Sequence, residues 1–166
     1  RIVHGGQLLR ETTRVSPTVL DQLQAVEHLA PLHNPSGRAA LTHAIELLPQ
    51  CAHFVVFDTA FFSSLPEHAW RYALPASLAD RLEIRRFGFH GISHRYVMQQ
   101  AAKVLERPLT DLRLITLHLG NGASACAISH GEPVDISMGM TPLEGLVMGT
   151  RAGDLDPAIP GILRRE

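Results

Sequence analysis

Three segments of the sequence combine cationic or amide side chains with glycine, a combination that suits the binding of anions. They cover residues 86–97, 118–124 and 148–154 and read RFGFHGISHRYV, HLGNGAS and MGTRAGD. Each segment brings an Arg, a His or an Asn-Gly pair to a predicted turn beside a regular element, where backbone amides can face the same oxygen atoms. The sequence therefore predicts a site for a phosphate or carboxylate group, assembled from separate parts of the chain.

Arginine supplies almost all of the positive charge, since Lys103 is the only lysine. A planar guanidinium binds carboxylate or phosphate through two parallel hydrogen bonds, which favours Arg over Lys in such a site. Arg1 opens the motif RIVHGG, and Arg151 lies in a glycine-rich loop, where ordering a long side chain is unfavourable unless a ligand binds. No Walker spacing surrounds Lys103, so a P-loop within this chain is excluded.

The elements that must position these residues begin with short strands predicted at 1–3 and 7–9, on either side of a Gly-Gly turn. Ser16 and Pro17 predict the N-cap and first turn of a helix over 18–29. A second helix is predicted over 37–48, and its inner face is expected to carry Ala40, Leu41, Ile45 and Leu48.

The apolar run 52–57 ends at Asp58, which is the pattern of a buried strand with a carboxylate at its exit. Residues 60–75 look irregular, and a domain boundary is predicted there. Helices follow at 75–81 and 93–105, the second with Ser93 as its cap. A three-strand meander is then predicted, with a long loop over 137–155 and a last helix capped by Asp156-Pro157; the strands are Arg113–Leu119, Ala123–Ser129 and Glu132–Ile136.

Composition excludes several classes of protein. The formal net charge of −1 gives no electrostatic case for nucleic acid or an acidic membrane surface. No apolar run is long enough to span a bilayer, and no signal peptide is recognisable. Cys51 and Cys126 are expected to be buried thiols of a reducing compartment, so a cytoplasmic protein is predicted. Ten histidines lack convincing ligand spacing, and no metal site is predicted among them.

Taken in order, these motifs resemble the acetate kinase family, the acyl-phosphate-forming branch of the superfamily of sugar kinases, heat-shock ATPases and actin. The resemblance implies a ribonuclease H-like α/β fold with parts of two lobes, mixed sheets and flanking helices. Residues 1–60 would form the C-terminal part of the first lobe, and residues 61–166 the N-terminal part of the second. The active-site cleft would lie between them.

The resemblance implies reversible, ATP-dependent phosphorylation of acetate to acetyl phosphate by direct in-line transfer, with ATP/ADP and Mg²⁺ as cofactors. A carboxylate is already ionised at neutral pH, so catalysis must come mainly from positioning and from cations that neutralise the transferring group. By resemblance, Arg151 stabilises the transition state and His90 the transferred phosphoryl group. Asp58 handles a proton or orients the substrate; we favour orientation, through a magnesium-bound water, because the carboxylate has no proton to give.

The resemblance also assigns binding residues. Arg1 would meet the acyl substrate, in a small apolar pocket formed by Val3, Leu32, Phe89 and Pro142. The nucleotide phosphates would lie on the turn that is formed by His118, Leu119, Gly120, Asn121 and Gly122. The metal ligands and the adenosine-binding glycines are expected outside these residues. His94, inside a predicted helix, is expected to be structural.

Several alternatives remain open. Ile92, Phe62 and residues 36–38 depart from the family pattern, which leaves the choice of acid undecided between acetate, propionate and butyrate. A different class is a catalytically silent nucleotide-binding or dimerisation module, and a homodimer through the second lobe is expected in either case. The sequence starts at Arg1, inside a predicted strand, so an internal fragment that is inactive when isolated is expected.

Overall fold

The computed structural model describes residues 1–165, so Glu166, the last residue of the predicted second lobe, lies outside the described residues. The described residues contain both strands and helices, with β3, β4 and β5 consecutive in the chain. The strands are β1 Thr13–Arg14, β2 Phe54–Val55, β3 Arg113–Leu119, β4 Ala123–Ser129 and β5 Glu132–Ile136. The helices are α1 Pro17–Ala25, α2 Asn34–Leu47, α3 Glu67–Trp70, α4 Ala76–Arg81, α5 Gly91–Val104 and α6 Ala158–Leu163.

A small sheet organises the first part of the chain. β1 pairs antiparallel with β2, and Ile2 forms a parallel bridge with Phe57. The predicted strand at 1–3 is therefore reduced to a single bridge. The prediction of a fully buried strand over 52–57 is wrong, because Val55 is 2% exposed but the neighbouring Phe54 is 57% exposed. Such alternation is typical of a strand with one solvated face.

The strand predicted at 7–9 is wrong. The chain turns back on itself there, and the Leu9 amide donates to the Gly5 carbonyl at 3.1 Å. Gly6 has φ +62°, a left-handed conformation that glycine adopts without strain and that ends any extended run. Leu8 consequently points into solvent, whereas Leu9 enters the core.

Helix α1 confirms the predicted start at Ser16-Pro17. The Ser16 hydroxyl accepts from the Val19 amide at 3.3 Å, and Pro17 occupies the first turn. The α-helix ends at Ala25, earlier than predicted, and a 3₁₀ turn over Glu27–Leu29 completes the segment.

Helix α2 begins at Asn34 rather than at residue 37, because Pro35 fits the first turn, where its missing N–H is not needed. The predicted inner face is partly wrong. Leu41 packs against the core, but Ala40 and Leu48 are exposed, since α2 packs mainly on α1.

Two separate apolar clusters form the core. One contains Ile2, Leu9, Val19, Leu23, Val55 and Phe57. The other contains Phe61, Phe62, Leu65, Phe89, Met98, Ala123, Cys126, Ile128, Ile136, Met138 and Met148. The change between clusters falls near the predicted boundary at 60/61, which stays a prediction. We call residues 1–60 and 61–165 the first and second regions below.

The second region begins with more regular structure than predicted, since a 3₁₀ turn over Ala60–Ser64 and α3 lie within residues 60–75. Helix α4 and the meander β3–β4–β5 agree with the prediction. The meander is antiparallel throughout, with an irregularity between Ala127 and Ile128. Helix α5 packs on one face of β3; the opposite face exposes Ile115, Leu117 and Leu119.

Arg86 holds the long loop that follows β5. Its guanidinium donates to the carbonyls of Ile136, Ser137 and Met138 at 3.0–3.2 Å and pairs with Glu144 at 2.6 Å. Residues 137–155 contain no strand or helix, as predicted, yet this anchoring gives the loop a defined position. The N-cap of α6 is Pro157, and the Asp156 carboxylate before it accepts from the Ala158 amide at 2.8 Å.

The two cysteines differ, and the predicted burial of Cys51 is wrong. Cys51 follows α2 in an exposed turn, whereas Cys126 is fully buried on β4. Burial raises the pKa of the Cys126 thiol to about 12. Neither forms a disulfide within residues 1–165. In the same range, every helix is too short or too polar to cross a membrane.

Candidate active site

Arg1 and Asp58 form a two-pronged ion pair at the edge of the first region. The parallel bridge between Ile2 and Phe57 brings the residues on either side of it together. Arg1 Nε lies 2.9 Å from Asp58 Oδ1, and Nη2 lies 2.5 Å from Oδ2. The hydrogen bond to Asp58 raises the pKa of Arg1, so the guanidinium stays charged. The Asp58 side chain is almost fully buried and the Arg1 side chain is largely exposed.

Helix α5 starts directly against Asp58. The Gly91 amide donates to the Asp58 carbonyl at 2.9 Å. A Cβ at position 91 would lie 2.4 Å from that carbonyl oxygen, so only glycine permits this approach. The residue before it, His90, has φ 59°, in the left-handed region. The predicted cap is wrong: α5 begins at Gly91, and Ser93 lies inside its first turn.

His90 stacks on His118 across the two elements that carry them. Their ring centroids lie 4.1 Å apart with an angle of 25° between the planes. His118 Nδ1 lies 2.9 Å from the Ser93 hydroxyl, which gives Ser93 a role in holding His118. Burial, followed by the nearby His118, lowers the pKa of His90 to about 4. His90 is therefore a neutral imidazole near pH 7.

The turn 120–122 lies between His90 and Arg151. A Cβ at Gly122 would lie 2.6 Å from Arg151 Nη2 and 3.3 Å from the Cε1 and Nε2 atoms of His90. Arg151 is also held at its other nitrogen, since Nη1 donates to the Pro142 carbonyl at 2.5 Å. The structure thus brings a guanidinium, an imidazole and a glycine backbone to one point.

The glycine-rich loop closes over the Asn121 backbone. The Gly149 amide donates to the Asn121 carbonyl at 3.0 Å, and Gly120 donates to Gly122 at 3.1 Å. The Asn121 side chain remains exposed. Leu119 differs from the other predicted nucleotide-binding residues, because its side chain is 72% exposed on the face of β3 opposite His118. Only its backbone can serve the turn.

Two cavities adjoin this point. One of about 450 Å³ is lined by Arg1, Asp58, His90, Ile92, Ser93, Tyr96 and His118. The other, of about 510 Å³, is lined by residues 28–33 and by Asn121, Thr141, Pro142, Leu143, Thr150 and Arg151. Most of the predicted site residues line one or the other.

The predicted acyl pocket is not assembled in one place. Leu32 and Pro142 line the 510 Å³ cavity together, and Leu32 is 85% exposed. Val3 packs against the second apolar cluster, and Phe89 is fully buried within it. Phe89 thus supports the site from beneath and presents no surface to either cavity.

The acidic side chains of the described residues supply few ligands for a metal ion. Among residues 1–165, no group of three or more His, Cys, Asp or Glu side chains could hold one. Asp58 is the only acidic residue lining the 450 Å³ cavity, and both of its oxygens already accept hydrogen bonds from Arg1. Its chemistry fits contact with a magnesium-bound water better than direct ligation.

Sequence reasoning missed His4, which connects the two regions through Met140, and Asn34, which holds the His4 backbone. Asn34 pairs with the His4 backbone at 3.1 and 2.9 Å. The Gly6 amide donates to His4 Nδ1 at 2.9 Å, so the ring proton lies on Nε2, which donates to the Met140 carbonyl at 3.1 Å. His4 is fully buried, and burial lowers its pKa to about 4.

The structure also shows buried polar groups on β3 and β4. His94 is fully buried and contacts the hydroxyls of Thr116 and Ser124, which confirms its expected structural position. The available signal was a hydroxyl residue at an inward position of each strand, where apolar residues are the rule.

Comparison with known proteins identifies the family of this chain. The model of the acetokinase family matches residues 1–166. The acetate kinase of Thermotoga petrophila is 52% identical over 160 residues, which cover 96% of this chain and 40% of that protein. The crystal structure of Porphyromonas gingivalis acetate kinase matches with a TM-score of 0.91 at 45% identity, covering 99% of this chain and 41% of that one. A propionate kinase from Francisella tularensis subsp. tularensis matches with a TM-score of 0.93 at 41% identity, covering 100% of this chain and 43% of that one.

These matches confirm the predicted α/β fold of the sugar kinase, heat-shock ATPase and actin superfamily. The chain spans about two fifths of the length of the relatives it matches. Because the family model covers every motif discussed above, including those around Asp58, His90 and Arg151, this chain belongs to the acetokinase family.

Proposed function

We propose that this chain forms part of the active centre of an ATP-dependent kinase that converts acetate and ATP into acetyl phosphate and ADP, reversibly. The observation that carries the proposal is that His90 lies between Arg151 and the Arg1–Asp58 pair. His90, Arg1 and Asp58 line one cavity, and the His90 ring and Arg151 Nη2 both lie within 3.3 Å of the place that a Cβ at Gly122 would take. Family membership adds that relatives of the chain are named acetate kinases.

The reaction places few demands on acid–base chemistry. A carboxylate oxygen attacks the γ-phosphorus while the bond to the ADP oxygen breaks, and no proton needs to be removed from the nucleophile. What the protein must provide is alignment and compensation of negative charge. Arg151 and His90 point at the same space beside Gly122, which suits the equatorial oxygens of the transferring group.

Arg1 is proposed to bind the substrate carboxylate. A guanidinium has five N–H donors, and Asp58 accepts two of them, so three remain for a second anion. The Arg1 side chain is exposed enough to meet one. Asp58 thereby acts as an orienting group, because it fixes the plane of the guanidinium.

The nucleotide is proposed to place its phosphates on the turn 120–122, with the Asn121 side chain and the His118 ring as donors. When bound, Mg²⁺ supplies neutralisation of phosphate charge. Asp58 is the group of this chain suited to hold a magnesium-bound water, and the remaining ligands are proposed to lie outside it.

Propionate is the second candidate substrate, because a propionate kinase shares this fold at a TM-score of 0.93. The exposure of Leu32 leaves the wall of the 510 Å³ cavity incomplete, so it sets no limit on acid length. Rates of phosphoryl transfer to acetate, propionate and butyrate, compared as kcat/KM, separate the candidates. A value highest for propionate would replace acetate in the proposal.

The proposal includes a cytoplasmic location and a homodimer formed through the second region. Two free cysteines support the first. The exposed apolar side chains of Ile115, Leu117 and Leu119 on β3 support the second, since contiguous apolar surface marks contact sites. Sedimentation of the longest natural polypeptide that contains this chain tests the dimer.

The central experiment uses the same natural polypeptide. Acetyl phosphate is trapped as its hydroxamate after incubation with ATP, Mg²⁺ and acetate. We expect turnover in the unmodified protein and a loss of about 10²–10³-fold in kcat in His90→Ala. Nucleotide binding without acetyl phosphate formation would indicate a catalytically silent module instead.

A further inference from the structure

A chain of hydrogen bonds leads from the interior of the second region to His90. Thr116 Oγ1 lies 2.7 Å from His94 Nδ1, and His94 Nε2 lies 2.8 Å from Ser124 Oγ. The same Ser124 oxygen lies 2.9 Å from His90 Nδ1. Thr116, His94 and Ser124 are all buried, so only the His90 end of the chain reaches a cavity.

The chain can point in only two directions. Burial lowers the pKa values of His90 and His94 to about 4, so each ring is neutral near pH 7 and has one N–H and one lone pair. Ser124 has one proton to share between two ring nitrogens. If it donates to His90, it accepts from His94; if it accepts from His90, it donates to His94. Acceptance from both rings would leave the buried Ser124 proton without an acceptor among the described residues, which is unfavourable.

Thr116 decides between these directions. Within residues 1–165, His94 is the only group that makes a hydrogen bond of normal geometry with Thr116 Oγ1. The nearby thiol of Cys126 is a weak acceptor, and its own proton goes to the Ala127 carbonyl at 3.6 Å. If Thr116 accepted from His94, its buried hydroxyl hydrogen would be left with no good acceptor, which is unfavourable. Thr116 therefore donates.

The positions of the protons on His94, Ser124 and His90 follow from that of the Thr116 proton. Thr116 donates to His94 Nδ1, so the His94 proton lies on Nε2 and is donated to Ser124. Ser124 then donates to His90 Nδ1, which leaves the His90 proton on Nε2. That atom lies on the Gly122 side of the ring, next to Arg151 Nη2. The opposite direction would present a lone pair to an incoming anion.

We propose, resting on the function proposed above, that Thr116, His94 and Ser124 are positioning residues that keep the proton of neutral His90 on Nε2, where it is donated to an oxygen of the transferring phosphoryl group. No proton is transferred between these residues during the reaction. The chain of hydrogen bonds keeps the His90 N–H oriented before the substrate binds, so catalysis requires no rearrangement of the ring. Thr116 contributes although it contacts neither substrate nor the reacting atoms.

The test compares two substitutions at Thr116 in the longest natural polypeptide that contains this chain. Thr116→Val keeps the shape and removes the hydroxyl, whereas Thr116→Ser keeps the hydroxyl and removes a methyl group. The ¹⁵N chemical shifts of the His90 ring report which nitrogen carries the proton. They are assigned in ¹⁵N-histidine-labelled protein by difference from His90→Gln.

We expect the unmodified protein and Thr116→Ser to carry the His90 proton on Nε2. Thr116→Val should move a large part of it to Nδ1 and lower kcat by about 10-fold or more, with little change in the KM for acetate. A purely structural role for Thr116 would change stability without moving the tautomer.

A proton on Nδ1 of His90 in the unmodified protein would overturn the proposal, and this measurement needs no variant to fold. Unchanged tautomer and kcat in Thr116→Val would overturn it equally. The NMR result also separates this proposal from the proposed function. If His90 carries its proton on Nε2 in a protein that makes no acyl phosphate, the role of the hydrogen-bond chain in setting the His90 tautomer stands, and the proposed kinase activity is refuted.

Discussion

The two regions contribute different sets of side chains to the candidate site. The first region supplies charge, through an Arg1–Asp58 ion pair whose arginine is open to solvent. The second supplies Arg151 and also His90, an uncharged ring held by buried hydroxyl and imidazole groups. In the proposed function, charge that has to meet a mobile anion remains near water, whereas a donor that has to keep one orientation is fixed from the interior. The comparison shows that the candidate site does not consist of cationic residues alone.

Removal of the Asp58 charge in the first region should have the largest effect on catalysis. Asp58→Asn keeps the shape but weakens the hold on the Arg1 guanidinium, because an amide cannot accept from it at both atoms. We expect kcat for acetyl phosphate formation to fall by about 10²–10³-fold. Glu67→Gln is the matched control, since it removes an exposed ion pair with Arg71 and should leave kcat unchanged. Equal losses in both variants would contradict the role of Asp58.

Acidification should weaken the connection between the regions at His4. Its pKa is about 4 in the folded protein, below the ordinary 6.5, so the unfolded chain binds the proton more readily. Stability from neutral His4 is complete above pH 6.5 and is lost as the pH falls towards 4. The contribution is about 3 kcal/mol for a shift of this size.

Denaturant unfolding between pH 4 and pH 7 measures this loss. His90 and His94 add to it in the same direction, because burial lowers their pKa values as well. His4→Gln should make the dependence of the unfolding free energy on pH shallower. Greater stability at pH 5 than at pH 7 would show that these rings are not buried in neutral form.

The close approach of the regions at Gly91 can be tested by one methyl group. Gly91→Ala would place a Cβ 2.4 Å from the Asp58 carbonyl oxygen and 2.7 Å from Phe61 Cβ. We expect a loss of about 1–3 kcal/mol in the free energy of unfolding, and a lower kcat because His90 shifts with the helix. Gly161→Ala in α6 is the control, because nothing lies within 4 Å of the added atom. A neutral Gly91→Ala would contradict the packing.

The smallest effect on catalysis is expected when the positive charge at position 1 is kept and only the shape of the side chain changes. Arg1→Lys keeps the positive charge but loses the planar fork that holds both oxygens of Asp58. We expect kcat/KM for acetate to fall by about 10-fold, less than in Asp58→Asn. An Arg1→Lys protein with full kcat/KM would mean that the first region supplies charge alone.

Local patterns predicted the fold where local chemistry decides it. The bounds of β3–β5 and the Ser16-Pro17 helix start follow from alternation, Asn-Gly and His-Gly turns and a capping hydroxyl. The errors at residues 7–9 and at Cys51 arose because short apolar runs do not show whether anything packs on them. Burial there depends on tertiary contacts, which periodicity does not contain.

In the candidate site, too, local sequence patterns predicted residues but not the tertiary contacts between them. Arg1, Asp58, His90 and Arg151 were predicted from motifs, and the structure brings them near one point, although their roles stay predictions. The Ser124–His94 and His4–Met140 contacts join residues 30 and 136 positions apart. No spacing rule connects such residues, so only the folded arrangement reveals them.

Two residues outside the loop that carries Arg151 hold it in place. His4 makes one hydrogen bond, to the Met140 carbonyl, whereas Arg86 makes several, to three carbonyls and to Glu144. His4 belongs to the first region, whereas Arg86, His90 and Arg151 all belong to the second. Loss of the His4 bond alone would therefore leave the Arg151 guanidinium next to the His90 ring.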